Sequence, residues 1–391
     1  MAKPNKDTNM ANAKKATVSS KELNEVKGKK PAASVPRVVG DDVSEAPKNP
    51  FHLNFSNGLI PWLAKLNGSL AFTTYTAGKV VLVGPNRGRL AVTERNFDHA
   101  MALLPQEEGL LLSTKFQVWR FENGLESGKI YDGWDKIFLP RHCHVTGAVD
   151  VHDLHYDRNG RLVAAVTQYN CLAYLEDKGC FSPMWRPPFI DALVAEDRCH
   201  LNGFCLEDGV PAYVTVTGAS NVRAGWRELR ADGGMVIDAR TNETIISGLS
   251  MPHSPRLYRG RLWLLEAGRG YLGWVDVKNR RFEPLTWCPG FVRGLRFFGD
   301  YALVGISKPR HKTFKGLPLD EELPKRNAEP VCGVYIIRID DGEIVYKLNI
   351  TGSVDEIYDV ALLPNTQSPL LVGLQGKEVR SLIKFGRNLI K

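Results

Sequence analysis

Four histidines far apart in the chain open segments of the same texture. They are His99 in HAMALLPQEEGLLLST, His152 in HDLHYDRNGRLVAAVT, His200 in HLNGFCLEDGVPAYVTVT and His253 in HSPRLYRGRLWLLEAG. Two more such segments, RGLRFFGDYALVGIS and YDVALLPNTQSPLLVGLQ, open on Arg293 and Tyr358. Aligning all six on the large apolar residue four places in (Leu103, Tyr156, Phe204, Leu257, Phe297 and Leu362) puts four imidazoles, one guanidinium and one phenol at an equivalent position. Neutral imidazole is a good ligand for zinc, iron, copper or nickel. Three imidazoles with an open position activate water or polarise a carbonyl, and four with open positions suit non-haem iron and oxygen chemistry. The expectation is a divalent transition metal, zinc or iron, held by His99, His152, His200 and His253. Asp98, Asp150, Asp153 and Glu356 are near enough in sequence to orient the rings. Arg293 is expected to grip a carboxylate or phosphate of the substrate, and Tyr358 to act as acid or base. Two other readings stand beside this one: a metal-free ligand pocket, and a purely structural hydrogen-bond network.

Such a ring needs elements that bring distant residues to one axis. From Phe51 onward, short runs of β-branched and aromatic residues are bounded by Gly, Asn, Asp and Pro, as in Lys79–Val83, Leu162–Val166 and Leu262–Leu265. They are strand-length, and long helical periodicity is missing. The best short-helix candidate is FIDALVAEDR, residues 189–198. The six openings recur every 40 to 65 residues, near the length of a four-stranded propeller blade. The last opening leaves room for one or two strands before the chain ends, whereas residues 68–95 supply strands with no opening of their own. Circular closure solves both, because it removes exposed sheet edges. The expected fold is therefore all-β: a six-bladed β-propeller over 51–391 whose N-terminal strands close the last blade. Seven blades is the alternative. Two long loops, 218–234 and the insertion 308–332 inside the fifth blade, are expected to cover the mouth. In the first of these, Trp226 and Arg227, with Arg223 and Arg230, suit an acidic or peptidic substrate.

Composition bounds the rest. The formal net charge of the 391 residues is +8, but residues 1–50 hold ten Lys/Arg against six Asp/Glu and no aromatic residue. That segment reads as a disordered tail, and the body is near balance, with no footprint for specific nucleic-acid binding. Seven Cys at scattered spacings suggest reduced thiols and a cytoplasmic setting. No apolar run reaches about 18 residues and no apolar leader follows the basic N-terminus, so neither a membrane span nor a secretory signal is expected. Arg141-His142-Cys143-His144 looks like a chelating cluster but lies in a loop or outer strand, where surface packing is the simpler reading. His155 is expected to point away from His152.

Longer motifs carry a resemblance. They include Arg186-Pro187-Pro188-Phe189, Glu196-Asp197-Arg198-Cys199-His200-Leu201-Asn202-Gly203, Met251-Pro252-His253-Ser254-Pro255-Arg256 and Pro289-Gly290-Phe291-Val292-Arg293-Gly294-Leu295. Gly305-Ile306-Ser307-Lys308-Pro309-Arg310 and Glu356-Ile357-Tyr358-Asp359-Val360 extend it. Over roughly 51–391 the chain resembles the bacterial conserved hypothetical family TIGR03032, which overlaps a domain of unknown function, DUF4915. The resemblance implies a propeller-like fold and no particular activity. In plan the chain is also similar to the peptidyl-hydroxyglycine amidating lyases, six-bladed propellers with His-bound zinc and nearby Arg and Tyr. The carotenoid oxygenases, with iron held by four inner-strand His on seven blades, are a looser parallel. The expected function is a metal-dependent lyase, hydrolase or oxygenase acting on a small acidic or peptidic substrate. The alternative is a metal-free module that binds a ligand or a protein, and the oligomeric state is open.

Overall fold

The computed structural model describes residues 50–386, apart from Arg87 and 310–315, together with the backbone of 388–390. The expected tail 1–50 and part of the insertion 308–332 therefore lie outside the described residues. Six sheets of four or five strands, antiparallel but for one edge pairing, form the blades, and a separate two-stranded sheet pairs Ile383–Phe385 with Asn388–Ile390. Blade 1 is built from Leu103–Gln106, Gly109–Ser113, Gln117–Asn123 and Lys136–Val145, and blade 2 from Val151–Tyr156, Leu162–Val166, Cys171–Tyr174 and Ser182–Trp185. Blade 3 runs from Leu201–Glu207 out to Glu243–Leu249, blade 4 from Pro252–Tyr258 to Arg281–Trp287, and blade 5 from Phe291–Phe298 to Ile344–Thr351.

Blade 6 is composite. Its inner strand Val360–Pro364 comes from the C-terminal part of the chain. Gly68–Thr74, Lys79–Asn86 and Arg89–Asn96 supply the rest. The six-bladed propeller closed by N-terminal strands is thus the observed fold, and seven blades is not. Two further strands fasten the seam. His52–Phe55 adds antiparallel to the edge of blade 5, and Pro369–Leu371 adds parallel to the edge of blade 1.

The apolar cores lie between blades, which explains why the strands read as continuous apolar runs. In Leu162–Val166, Val163 and Ala165 pack towards blade 3 while Ala164 and Val166 pack towards blade 1. A strand buried on both faces has no polar face to alternate with.

The helix expectation fails. Residues 189–198 are turns and bends. The amides of Glu196 and Asp197 donate to the Gln168 carbonyl of blade 2, and neither donates to the carbonyl four residues back that a helix would use. Among the described residues the longest helix is Leu59–Leu66, whose Leu59, Trp62 and Leu63 are buried against the core shared by blades 5 and 6. The described part of the insertion holds a short helix, Leu319–Lys325, and buries Leu317, Leu319 and Leu323. All seven cysteines are free thiols, and among the described residues no helix is long and apolar enough to cross a membrane.

Candidate functional site

The aligned positions come together only in part, and the backbone shows how. In blades 2, 3, 4 and 5 the register between the inner strand and its neighbour slips at the same place. The slips fall between Val151 and Leu154, Leu201 and Gly203, His253 and Arg256, and Val292 and Leu295. Each is a bulge with an extra residue on the inner strand, a device that re-aims side chains at the end of a sheet. Nothing in the apolar pattern signals it. Left-handed backbone at His99 and His200, both φ 50°, turns two more of the set. Non-glycine residues adopt that conformation at a cost of about 1–3 kcal/mol, which the surrounding structure must hold in place.

Four of the six line one cavity. His152, His253, Arg293 and Tyr358 surround it with Asn202, and it has a volume of about 10 Å³ for the centre of a water-sized group, so it admits one such group. The Arg293 guanidinium lies 3.6 Å from the centre of the Tyr358 ring. Among the described residues it has no carboxylate within ion-pair distance. The Tyr358 hydroxyl is buried without a hydrogen-bond partner, in a side chain 3% exposed. His152 packs edge-on to His200 at 5.0 Å and to Tyr358 at 5.6 Å. Its Nδ1 lies 3.1 Å from the Asp150 carbonyl oxygen, so Nδ1 carries the proton and Nε2 the lone pair. The His200 Nδ1 faces both carboxylate oxygens of Asp197, at 3.0 and 3.1 Å. His253 packs edge-on to Phe291 at 5.9 Å.

The other expected residues fall outside the cavity. His99 sits in a turn, beside Asp98 and edge-on to Tyr75 at 4.6 Å; Tyr75 in turn stacks on Tyr358 at 5.7 Å. Trp226 is not a surface residue of a loop. It is 3% exposed, stacked 4.3 Å from His200, and donates its indole N–H to Asp197 at 2.9 Å. Arg227 is exposed and lies over the Trp226 ring at 4.7 Å. His142, Cys143 and His144 are on the outer strand of blade 1, and His155 turns away from the cavity towards Phe204 and Asp153. Asp197, Tyr75 and Asn202 were not singled out by residue type. Asp197 and Asn202 stand in the sequence only inside the longer motif around His200, and nothing local marks Tyr75.

Electrostatics keep the His152 and His253 imidazoles neutral. Burial, then the charges of His200 and Arg293, holds His152 well below the usual imidazole range. Burial, followed by Arg293, does the same to His253. Burial pushes the Tyr358 phenol well above its ordinary value, against the pull of Arg293, so it stays protonated. Arg256, Asp153 and Asp359 also line the cavity, but their charges are spent in buried pairs, Arg256 with Asp153 and Asp359 with Arg296. What the cavity offers a ligand is therefore the Arg293 guanidinium, a phenol donor and two neutral imidazoles. For a metal the fit is incomplete: among the described residues, no three His, Cys, Asp or Glu side chains form a group that would hold an ion.

Fold and site together define a six-bladed β-propeller with a polar pocket set in its channel. Residues 57–372 match the domain of unknown function DUF4915, and the chain belongs to that family. No curated protein matches. Among solved structures, a protein of unknown function from Bacteroides caccae is 10% identical, with 76% of this chain and 98% of that one covered and a TM-score of 0.45. A catalytically inactive variant of virginiamycin B lyase from Staphylococcus aureus is 11% identical over 77% and 99%, with a TM-score of 0.36. A putative gluconolactonase is 13% identical over 68% and 89%, with a TM-score of 0.43.

Proposed function

We propose that the channel pocket binds the charged head of a small acidic molecule and moves a proton on it, making the protein an acid–base enzyme of the lyase or hydrolase type. The observation that carries this is Arg293. A half-buried guanidinium with no carboxylate at ion-pair distance among the described residues, fixed over an aromatic ring, is the complement of a carboxylate or phosphate oxygen. The Tyr358 hydroxyl supplies a second donor to the same group, which would end its unpartnered state. His152, neutral and tied through Nδ1, keeps its Nε2 lone pair for a proton taken from the substrate. The cavity admits one water-sized group, so one oxygen of the charged head enters it and the rest of the molecule extends outward.

The test is a panel of phosphate, sulfate and small mono- and dicarboxylates screened by calorimetry and thermal shift. At least one should bind, Arg293→Ala should weaken it tenfold or more, and His152→Gln should keep binding while ending turnover. Failure of every anion in the panel to bind the folded protein would overturn the reading.

A zinc or iron centre is the second reading. What favours it is second-shell geometry: His152 and His200 each engage Nδ1 with a carbonyl or a carboxylate, as metal-bound imidazoles do, and keep Nε2 for another partner. His152, His200 and His253 would hold the ion, with His99 as a fourth ligand, and the ion would supply Lewis acidity to the bound group. Binding requires the rings to draw closer than they stand. Elemental analysis of protein purified without a His tag decides it: metal far below stoichiometric, and unchanged by triple His→Ala substitution, removes this reading.

A further inference from the structure

A second opening lies outside the channel, where the last strand of blade 6 hands over to blade 1. Its volume is about 160 Å³. Phe97 and Trp119 line it, 6.4 Å apart with ring planes 57° from each other, and Asn96, Asp98, Gln117 and Gln375 supply its polar groups. The polar groups are of particular kinds. The Asn96 oxygen accepts from the Lys79 ammonium at 3.3 Å, and the Gln117 oxygen accepts from the Thr114 hydroxyl at 3.1 Å. Each amide is thus left with N–H groups to offer. The indole N–H of Trp119 is buried with no partner. Asp98 brings a carboxylate, one oxygen of which faces the His99 Nδ1 and the other the Lys115 ammonium at 3.9 Å, and among the described residues no Lys or Arg lines the cleft itself.

These features exclude two occupants and select a third. An anion would meet a carboxylate on the cleft wall and no lining cation, since the ammonium groups of Lys79 and Lys115 lie behind Asn96 and Asp98 and are already engaged there. A purely apolar ring would strip water from two amides and a carboxylate and give nothing back. A neutral ring with an apolar C–H face and a belt of hydroxyls satisfies both the aromatic walls and the polar rim. An empty volume near 150 Å³ is known to take a six-membered ring. We propose that the cleft bounded by Trp119, Phe97, Asn96, Asp98, Gln117 and Gln375 is a binding site for one saccharide ring. The site uses none of the channel residues and stands whether or not the channel is catalytic.

Saturation-transfer NMR on the full-length protein tests it, with the methyl glycosides of glucose, galactose, mannose and N-acetylglucosamine as probes. At least one glycoside should receive saturation at its ring protons. Trp119→Phe, which keeps an aromatic ring and removes the indole N–H, should raise its Kd about fivefold or more, and so should Gln117→Ala. Arg293→Ala should leave that Kd unchanged, which separates this result from the fate of the channel proposal. Near-UV circular dichroism checks that each variant is folded; if Trp119→Phe is not, Gln117→Ala decides alone. The idea is overturned if no glycoside in the panel binds the folded protein, if binding keeps its wild-type Kd in Gln117→Ala, or if indole binds more tightly than every glycoside.

Discussion

Arg256 of blade 4 reaches across the channel to Asp153 of blade 2 with two parallel hydrogen bonds, Nη1 to Oδ2 at 2.7 Å and Nη2 to Oδ1 at 3.1 Å. The same pair holds blade 3, since Asp153 accepts the Phe204 amide at 3.3 Å and Arg256 donates to the Phe204 carbonyl at 3.1 Å. A second pair repeats the device on the other side. Arg296 of blade 5 donates to Asp359 at 3.1 Å, and both bond to the backbone of Leu103 in blade 1. Between them the two pairs tie together all six blades and floor the pocket. They are not equal. Burial alone would raise the Asp153 carboxyl, but Arg256 and then His155 overcome it and hold it below the usual range, whereas burial outweighs Arg296 and raises Asp359. Removing one partner of a buried pair strands the other charge, at about 3–5 kcal/mol. Asp153→Asn and Arg256→Met should each lower the urea unfolding free energy by that amount, and the double variant by less than the sum. Single losses under about 1 kcal/mol would contradict the tie.

The place of Arg293 depends on the residue after it. Gly294 has φ 80°, and a Cβ there would stand 2.8 Å from the Asp359 Cα. Gly294→Ala should cost about 1–3 kcal/mol and displace the guanidinium from the Tyr358 ring. Anion binding should fall with it. Gly248 also has a positive φ, 85°, but open space around it. Gly248→Ala should therefore show the backbone cost without the binding loss. Equal effects of the two on anion binding, read by calorimetry, would count against the positioning role.

The propeller was legible because its signal is repetition. Six apolar runs with a polar residue at a fixed offset need only spacing to be recognised, and closure followed from counting strands at both ends. Arg293 and Tyr358 share the ring with His152 and His253 for the same reason. Periodicity carries no information on bulges or on left-handed residues, and those decide which ring members enter the cavity. His99 keeps the alignment but sits in a turn, out of the cavity. Trp226 read as a loop residue because its neighbours are charged. Its burial comes from His200 and Asp197, which lie 26 and 29 positions away. The stretch 189–198 has helical composition, yet blade 2 takes its amides.

Acid should loosen the ring. His152 and His253 both have folded values below the ordinary imidazole value near 6.5, by burial first and neighbouring positive charge second. Below that value the unfolded chain binds more protons than the folded one, so their contribution is present above about pH 6.5 and is lost as the pH falls. The urea midpoint should be flat from about pH 7 to 8 and decline below about 6.5. His253→Gln should make the decline shallower, whatever it does to stability at pH 7. A decline of unchanged steepness in that variant would mean that other groups carry it.

Trp226, Asp197 and His200 form a single unit, and its dissection separates support from chemistry. The indole ring backs the imidazole at 4.3 Å, and the indole N–H shares the carboxylate that orients it. Trp226→Ala should open a cavity costing about 3–5 kcal/mol. Trp226→Phe keeps the stacking surface and loses one hydrogen bond, a cost of about 1 kcal/mol. His200 packs against His152, whereas Arg293 lies over Tyr358 and does not depend on Trp226 for its place. The phenylalanine variant should therefore bind the test anions with wild-type affinity and turn substrate over more slowly, so that kcat falls while the Kd holds. If instead anion affinity drops and kcat is preserved, the unit belongs to binding and does not position His152 for the proton.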